Sequence, residues 1–131
     1  MSKTNKIIYW IATIFLALGM LAGGLQQLLQ VGGYVGIITH LGYPKYFLSI
    51  IGTWKILGVI ALLIPRFGLL KEWAYAGFFF VMSGALISHL IVGDTIKEYY
   101  PSLTLLILIV VSWYFRPESR RIILATNIQL T

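Results

Sequence analysis

Four apolar stretches, each close in length to a membrane span, follow one another along the chain. They cover about residues 7–31, 46–64, 72–92 and 101–115. The charges lie mostly between them, and no charged side chain occurs between Lys6 and Lys45. Since roughly 20 apolar residues cross the hydrocarbon core as a helix, the pattern predicts four transmembrane helices. Consecutive spans alternate in direction, so we expect an all-α fold: one domain over residues 1–131 that forms a four-helix antiparallel transmembrane bundle.

The connection between the first two stretches, residues 32–45, differs from the other connections. It is moderately apolar, and several glycines interrupt it: Gly32, Gly33, Gly36 and Gly42. Irregular backbone of this kind survives at membrane depth only where protein covers it or water reaches it. We expect an interfacial or re-entrant segment with a short helix at about 34–41. It should fold over the outer end of the bundle and bury Ile37, Ile38 and Leu41 there, because an exposed apolar loop is unfavourable.

The composition excludes several classes of protein. Hydrophobic residues make up 59% of the chain and charged residues 11%, against about 25% charged residues in soluble domains. There is no cysteine, and two histidines alone are too few for a structural zinc site. We therefore expect no metal and no cofactor. The net charge of +6 does not indicate a nucleic-acid partner, because the basic residues lie at the ends of apolar stretches.

The distribution of lysine and arginine predicts the orientation in the bilayer. With both termini inside, the outer side holds only Lys45 and Lys97. The inner side then holds Lys3, Lys6, Arg66, Lys71, Arg116, Arg120 and Arg121. Positive side chains are enriched on the cytoplasmic side of membrane proteins. We therefore expect both termini in the cytoplasm and the lipid bilayer, typically a bacterial cytoplasmic membrane, as the surroundings.

Lys55 stands apart because it lies near the middle of the second stretch. An ammonium group there costs about 2.5–3.5 kcal/mol on insertion scales. Gly52 and Gly58, one turn to either side, leave room for another helix or a pocket. The lysine either extends alone to the interface or forms a site, and intramembrane ionisable groups favour the site. We expect it to point into the bundle and to hydrogen-bond His89, Gln26, Ser88 or an exposed carbonyl.

Further polar residues lie at the predicted outer ends of the spans. Helical side chains lean toward the helix N-terminus, so Lys55, His89 and Gln26 are expected to converge in the outer half of the bundle. Gln26 and Gln30 also continue a stripe with Gly19 and Gly23, for which simple helix packing is the favoured interpretation. For His89, a lone histidine satisfied by a carbonyl is an equally good interpretation. The predicted ligand-binding residues are Lys55, His89, Gln26, Gln30, Ser88 and Asp94.

Longer motifs carry a resemblance to a known family. They are LGYP (41–44), GTWKILGVIALLIP (52–65), LKEWAYAGFFF (70–80), GALISHLIVGD (84–94) and SWYFRPESRR (112–121). Together they closely resemble the DoxX-like family of small four-helix membrane proteins, over nearly the whole chain. By position, the family's motif residues are Lys55, Pro65, Lys71, Glu72, Trp73, Gly77, Ser88, His89, Gly93, Asp94 and Arg116. The resemblance implies no catalytic role for any of them.

What the resemblance implies about function is limited. The family's namesake is a membrane subunit linked to thiosulfate:quinone oxidoreduction, and other members belong to membrane oxidoreductase complexes that respond to oxidative stress. A eukaryotic relative assists the assembly of nicotinic acetylcholine receptors. Two hypotheses follow: a binding or redox-complex-associated subunit that holds a quinone-like molecule or a lipid, or an assembly or structural partner of another membrane protein or of a second copy. Under both hypotheses we expect a non-catalytic subunit or binding protein and not an enzyme.

Overall fold

The computed structural model describes residues 2–122, and within this range the protein is all-α, as predicted. It contains five α-helices and a single 3-10 turn, Glu118–Arg120, with no strand in that range. The α-helices are α1 (Lys3–Leu28), α2 (Tyr34–His40), α3 (Phe47–Leu63), α4 (Gly68–Ile91) and α5 (Ile96–Tyr114). Four of these helices correspond to the predicted spans, and α2 is the short helix expected at about 34–41, so the described range holds five helices and not the four of a plain bundle.

The helix boundaries follow from local chemistry. The Ser2 side chain accepts a hydrogen bond of 3.1 Å from the backbone N–H of Asn5 and caps α1. Thr95 and Glu98 form a capping box at the start of α5. α5 therefore begins a turn before Pro101, which lies inside the helix rather than at its first residue. Left-handed residues, Gly32 and Gly33 among them, separate α1 from α2.

Within residues 2–122, three helices are long and apolar enough to cross a membrane: α1, α4 and α5. The second predicted span corresponds to α3, which is apolar but has only 17 residues. The four long helices nevertheless pack in a closed ring, in the order α1, α3, α4, α5 and back to α1. α2 packs on α1 and α3.

Small residues set the spacing between neighbouring helices. A methyl group at Gly52 of α3 would lie 2.6 Å from the carbonyl oxygen of Gly24 in α1, so only glycine permits this crossing. Gly58 of α3 likewise leaves room for the ring of Phe78 in α4, which a methyl group at this position would overlap. These contacts fix how α1 and α4 are rotated against α3.

The end of the ring where α1 begins is held by polar contacts. Lys71, fully buried in α4, donates through Nζ to the carbonyl oxygens of Ala61 and Ile64 at the end of α3. Arg120 donates to the carbonyl oxygen of Leu62 at 2.7 Å. Glu72 pairs with Arg116, with 2.7 Å between Oε1 and Nε. Since the last carbonyls of a helix lack partners within the helix, these basic side chains stabilise the end of α3.

A small polar cluster lies in the interior of the ring. The Oγ atom of Ser112 is 2.6 Å from Thr13 Oγ1 and 2.7 Å from the Tyr75 hydroxyl. All three side chains are buried. Each hydroxyl therefore has a partner, and the cluster joins α1, α4 and α5 without leaving a group for a ligand.

Candidate functional site

The end of the ring where α1 ends contains a cavity of about 650 Å³. We call it the polar-ended cavity, because most of its lining is apolar and its polar side chains lie toward this end. All five helices contribute to the lining. Examples are Gln27 of α1, Tyr34 of α2, Lys55 of α3, His89 of α4 and Ser102 of α5.

One wall of the polar-ended cavity is formed by α2 and the turn that follows it. Ile37, Ile38, Leu41 and Tyr43 line the cavity from this side. The segment between the first two spans therefore covers the end of the bundle, and the predicted short helix is confirmed. The expected burial of its apolar side chains is wrong, since Ile37 is 43% exposed and Ile38 and Leu41 are only half-buried. Burial raises the pKa of Tyr34, so its hydroxyl stays protonated and can donate a hydrogen bond into the cavity.

Asp94 bridges two histidines at the mouth of the cavity. Its Oδ2 lies 2.7 Å from His89 Nδ1, and its Oδ1 lies 2.8 Å from His40 Nε2. Gly93, with φ of 82°, turns the chain so that Asp94 folds back onto the end of α4. The hydrogen bonds from His89 and then from His40 lower the pKa of Asp94, because they stabilise the carboxylate. This bridge ties α2 to α4.

A second tie joins the same two parts of the chain. Ser88 Oγ donates to the carbonyl oxygen of Gly84 at 2.8 Å. Its hydrogen is used in that bond, so the Tyr43 hydroxyl, 2.8 Å away, is the donor to Ser88 Oγ. The Tyr43 ring also stacks on Phe47 at the start of α3, with 5.1 Å between the ring centroids. We call α2 and the turn that follows it, residues 34–43, the cover of the cavity. The cover is therefore attached to both α3 and α4.

Lys55 is buried between the helices, with a relative exposure of 5%, and its side chain lines the cavity. A methyl group at Gly24 would lie 3.0 Å from Lys55 Cβ, and one at Gly23 would lie 3.8 Å from its Nζ. The side chain thus points into the bundle, between α3 and α1.

The expected hydrogen bonds of Lys55 are not formed. Within residues 2–122 its Nζ has neither an ion-pair partner nor a hydrogen bond to a protein group. Two of the expected partners are already occupied, since His89 bonds Asp94 and Ser88 bonds Tyr43 and Gly84. A third, Gln26, is exposed and does not line the cavity.

Four of the six predicted site residues line the polar-ended cavity: Lys55, Ser88, His89 and Asp94. Gln26 and Gln30 do not. Gln26 lies beside Gly32, and Gln30 is a left-handed residue after the end of α1. The glutamine that faces the cavity is their neighbour Gln27, which is 9% exposed. Because one residue rotates a helix by about 100°, a small error in the assumed face selects the wrong glutamine.

Sequence reasoning also missed three residues of α2 and its turn: Tyr34, His40 and Tyr43. A signal for them was present, since each lies in the segment that we expected to cover the cavity. The part of the chain that the structure describes contains no group of three or more residues suited to hold a metal ion. An apolar cavity with a few polar groups at one end is an arrangement typical of a binding site.

Residues 11–112 match the family model described as the DoxX-like family. Neither a search of curated proteins nor a search of solved structures found a match.

Proposed function

Because the chain belongs to the DoxX-like family, we propose that it is an integral membrane protein that binds a small quinone-like lipophile in the polar-ended cavity, on its own or as a subunit associated with a membrane redox complex. The cavity carries this proposal. At about 650 Å³, it falls within the roughly 300–1,000 Å³ of small-molecule sites, which are mostly apolar with a few placed polar groups.

The proposed binding residues are those that present unused polar atoms to the cavity. Lys55 Nζ and the Tyr34 hydroxyl supply donors for a carbonyl oxygen. His89 has its Nδ1 on Asp94 and leaves its other ring nitrogen for the ligand. Ser88 and Asp94 hold the cover in place and shape the mouth. Gln27 takes the place that Gln26 and Gln30 had in the sequence prediction.

We place the protein in the bilayer with four spans, as a four-helix antiparallel transmembrane bundle that α2 covers. α1, α4 and α5 are long enough to cross. α3 is included because it packs between α1 and α4 in the ring, and its large exposed side chains, such as Trp54 and Ile60, are apolar. The excess of basic residues at the end where α1 begins favours cytoplasmic termini, in a membrane such as the bacterial cytoplasmic membrane.

Filling the cavity tests ligand binding. Gly84 and Gly77 both lie on α4 with open space where a side chain would go, but Gly84 lines the polar-ended cavity and Gly77 does not. We expect Gly84→Leu to weaken the binding of decylubiquinone by at least about tenfold, because the leucine occupies the ligand's volume. Gly77→Leu, the matched control, should bind as the native protein does. Binding is measured on purified protein in detergent micelles, by fluorescence titration.

Equal binding by the native protein and Gly84→Leu would refute a site in this cavity.

The alternative is an assembly or structural partner of another membrane protein. It is favoured by a second depression of about 260 Å³ between α3 and α4, lined by Trp54, Trp73 and Gly77. Both tryptophans are exposed, so another helix has access to them. In this case Gly77→Leu, and not Gly84→Leu, should abolish co-purification of the partner. The same two variants therefore separate the two functions.

A further inference from the structure

We propose that the ligand of the polar-ended cavity is a lipophilic acid, and that its oxyanion pairs with the ammonium group of Lys55. This inference rests on the proposed function, a cavity that binds a quinone-like lipophile, and specifies that the preferred ligand carries an acidic oxygen, as a carboxylic acid or a phenol does. It follows from the charges of the chain, from a comparison between its two buried lysines and from the groups that surround Lys55 Nζ.

Within residues 2–122 none of the acidic side chains bonds Lys55. The chain has four acidic residues in all, and all four lie within the described range. Glu72 pairs with Arg116, and Asp94 is held by two histidines. Glu98 accepts from the backbone N–H and the hydroxyl of Thr95. Glu118 is exposed in the 3-10 turn beyond α5. The ammonium group of Lys55 is therefore left for an acid from outside the chain.

Lys71 is the matching example of a buried lysine whose role is structural. It is also buried in the bundle, and its Nζ donates to two backbone carbonyl oxygens at the end of α3. Lys55 is also buried, at 5% exposure against 1% for Lys71, but within residues 2–122 its Nζ makes no hydrogen bond. Because an unpaired buried ammonium is costly, and because this one lines a cavity, the natural partner is the occupant of that cavity.

The groups around Lys55 Nζ suit an oxyanion. Gly23 of α1 lies opposite: a methyl group there would be 3.8 Å from Lys55 Nζ and 3.4 Å from the Tyr34 hydroxyl. Two donors from different helices thus converge where α1 has no side chain. Gln27, one turn further along α1, has an Oε1 atom without a partner in the described residues, and its amide can rotate to donate. Converging donors of this kind recognise an oxyanion, and charge strengthens each bond.

Competition binding with laurate tests the proposal. Radiolabelled laurate is bound to the purified full chain in detergent micelles and displaced by unlabelled laurate, methyl laurate or decylubiquinone. Methyl laurate differs from laurate only in that its acidic oxygen is blocked as a methyl ester. We expect methyl laurate to compete at least about tenfold less well than laurate, because charge-assisted hydrogen bonds are roughly twice as strong as neutral ones. Decylubiquinone should displace the label, since it occupies the same cavity.

The variant Lys55→Met should remove the preference for laurate over its ester. Lys45→Met makes the same change at an exposed lysine outside the cavity and should keep the preference. Equal competition by laurate and methyl laurate on the native protein would overturn the inference without any variant. So would native-like laurate affinity in Lys55→Met. If decylubiquinone still binds in those cases, the proposed function stands and only the acidic ligand is rejected. If neither compound binds, both proposals fail.

Discussion

At the scale of single residues, the two buried lysines show that burial alone does not define a role. Lys71 closes the end of α3 through the carbonyl oxygens of Ala61 and Ile64. Lys55 reaches a cavity and bonds no protein group within the described range. The same side chain therefore stabilises the fold in one place and, as we propose, serves a ligand in the other.

The two lysines should respond in opposite ways to the same substitution. We expect Lys71→Met to lower the free energy of unfolding by about 2–4 kcal/mol, because it leaves buried carbonyl oxygens without a charged donor. Lys55→Met should change it by less than about 1 kcal/mol or raise it, since removing an unpaired buried charge is often neutral or favourable. Denaturant unfolding of both variants in micelles, followed by circular dichroism, measures the difference. A larger loss in Lys55→Met than in Lys71→Met would contradict this division of roles.

At the scale of elements, α2 is a cover that polar contacts hold in place. Its own contacts with the ring are few, and none of its residues is fully buried. Two side-chain bonds to the α4 side, His40 to Asp94 and Tyr43 to Ser88, fix its position. We expect an element held in this way to open without disturbing the four long helices, which would give the proposed ligand a route into the cavity.

The attachment of α2 should depend on the charge of Asp94. Its pKa is lowered in the folded protein, so its contribution is present above the usual carboxyl pKa, about 3.9, and is lost as the pH falls through the depressed value. We expect α2 to stay attached to α4 when the distance is measured between pH 5 and pH 8. It should separate from α4 well below pH 4. Spin labels at Thr39→Cys in α2 and Leu90→Cys in α4 report the distance between the two helices.

The variant Asp94→Asn should separate α2 from α4 already at neutral pH, because the amide is a weaker acceptor for the two histidines. Glu98→Gln, a matched change in the capping box of α5, should leave the distance as it is. An unchanged distance in Asp94→Asn would show that the apolar contacts of α2 suffice to hold it.

At the scale of the whole molecule, the two ends of the ring differ in chemistry. The end where α1 begins is closed by basic side chains bound to carbonyl and carboxylate oxygens, among them Lys71, Arg116 and Arg120. The opposite end holds the cavity and its cover. This asymmetry agrees with an anchored cytoplasmic side and an outer side at which the cavity opens.

Cysteine labelling tests this orientation, since the chain has no cysteine of its own. We expect a membrane-impermeant maleimide to label Thr39→Cys in intact cells, because the proposed orientation places α2 on the outer side. Ser2→Cys should react only after the cells are permeabilised. Labelling of Ser2→Cys from outside would reverse the topology. Thr131, where a label would also be informative, lies outside the described residues.

The sequence alone determined the all-α fold, the approximate helix positions and the presence of a lysine in the middle of the second apolar stretch. It could do so because the length of an apolar run is a local property set by the thickness of the bilayer. It also placed four of the six predicted residues at the cavity: Lys55, Ser88, His89 and Asp94.

Only the tertiary structure decided which side chains meet. The helical repeat fixes which residues share a face, but not which face turns inward. The contact of Gly24 with Gly52 settles that for α1, and it turns Gln27 rather than Gln26 toward the cavity. Asp94 meets His40, 54 positions earlier, only because α2 folds back over the ring. Such contacts depend on the packing of several helices at once, so no local pattern along the chain encodes them.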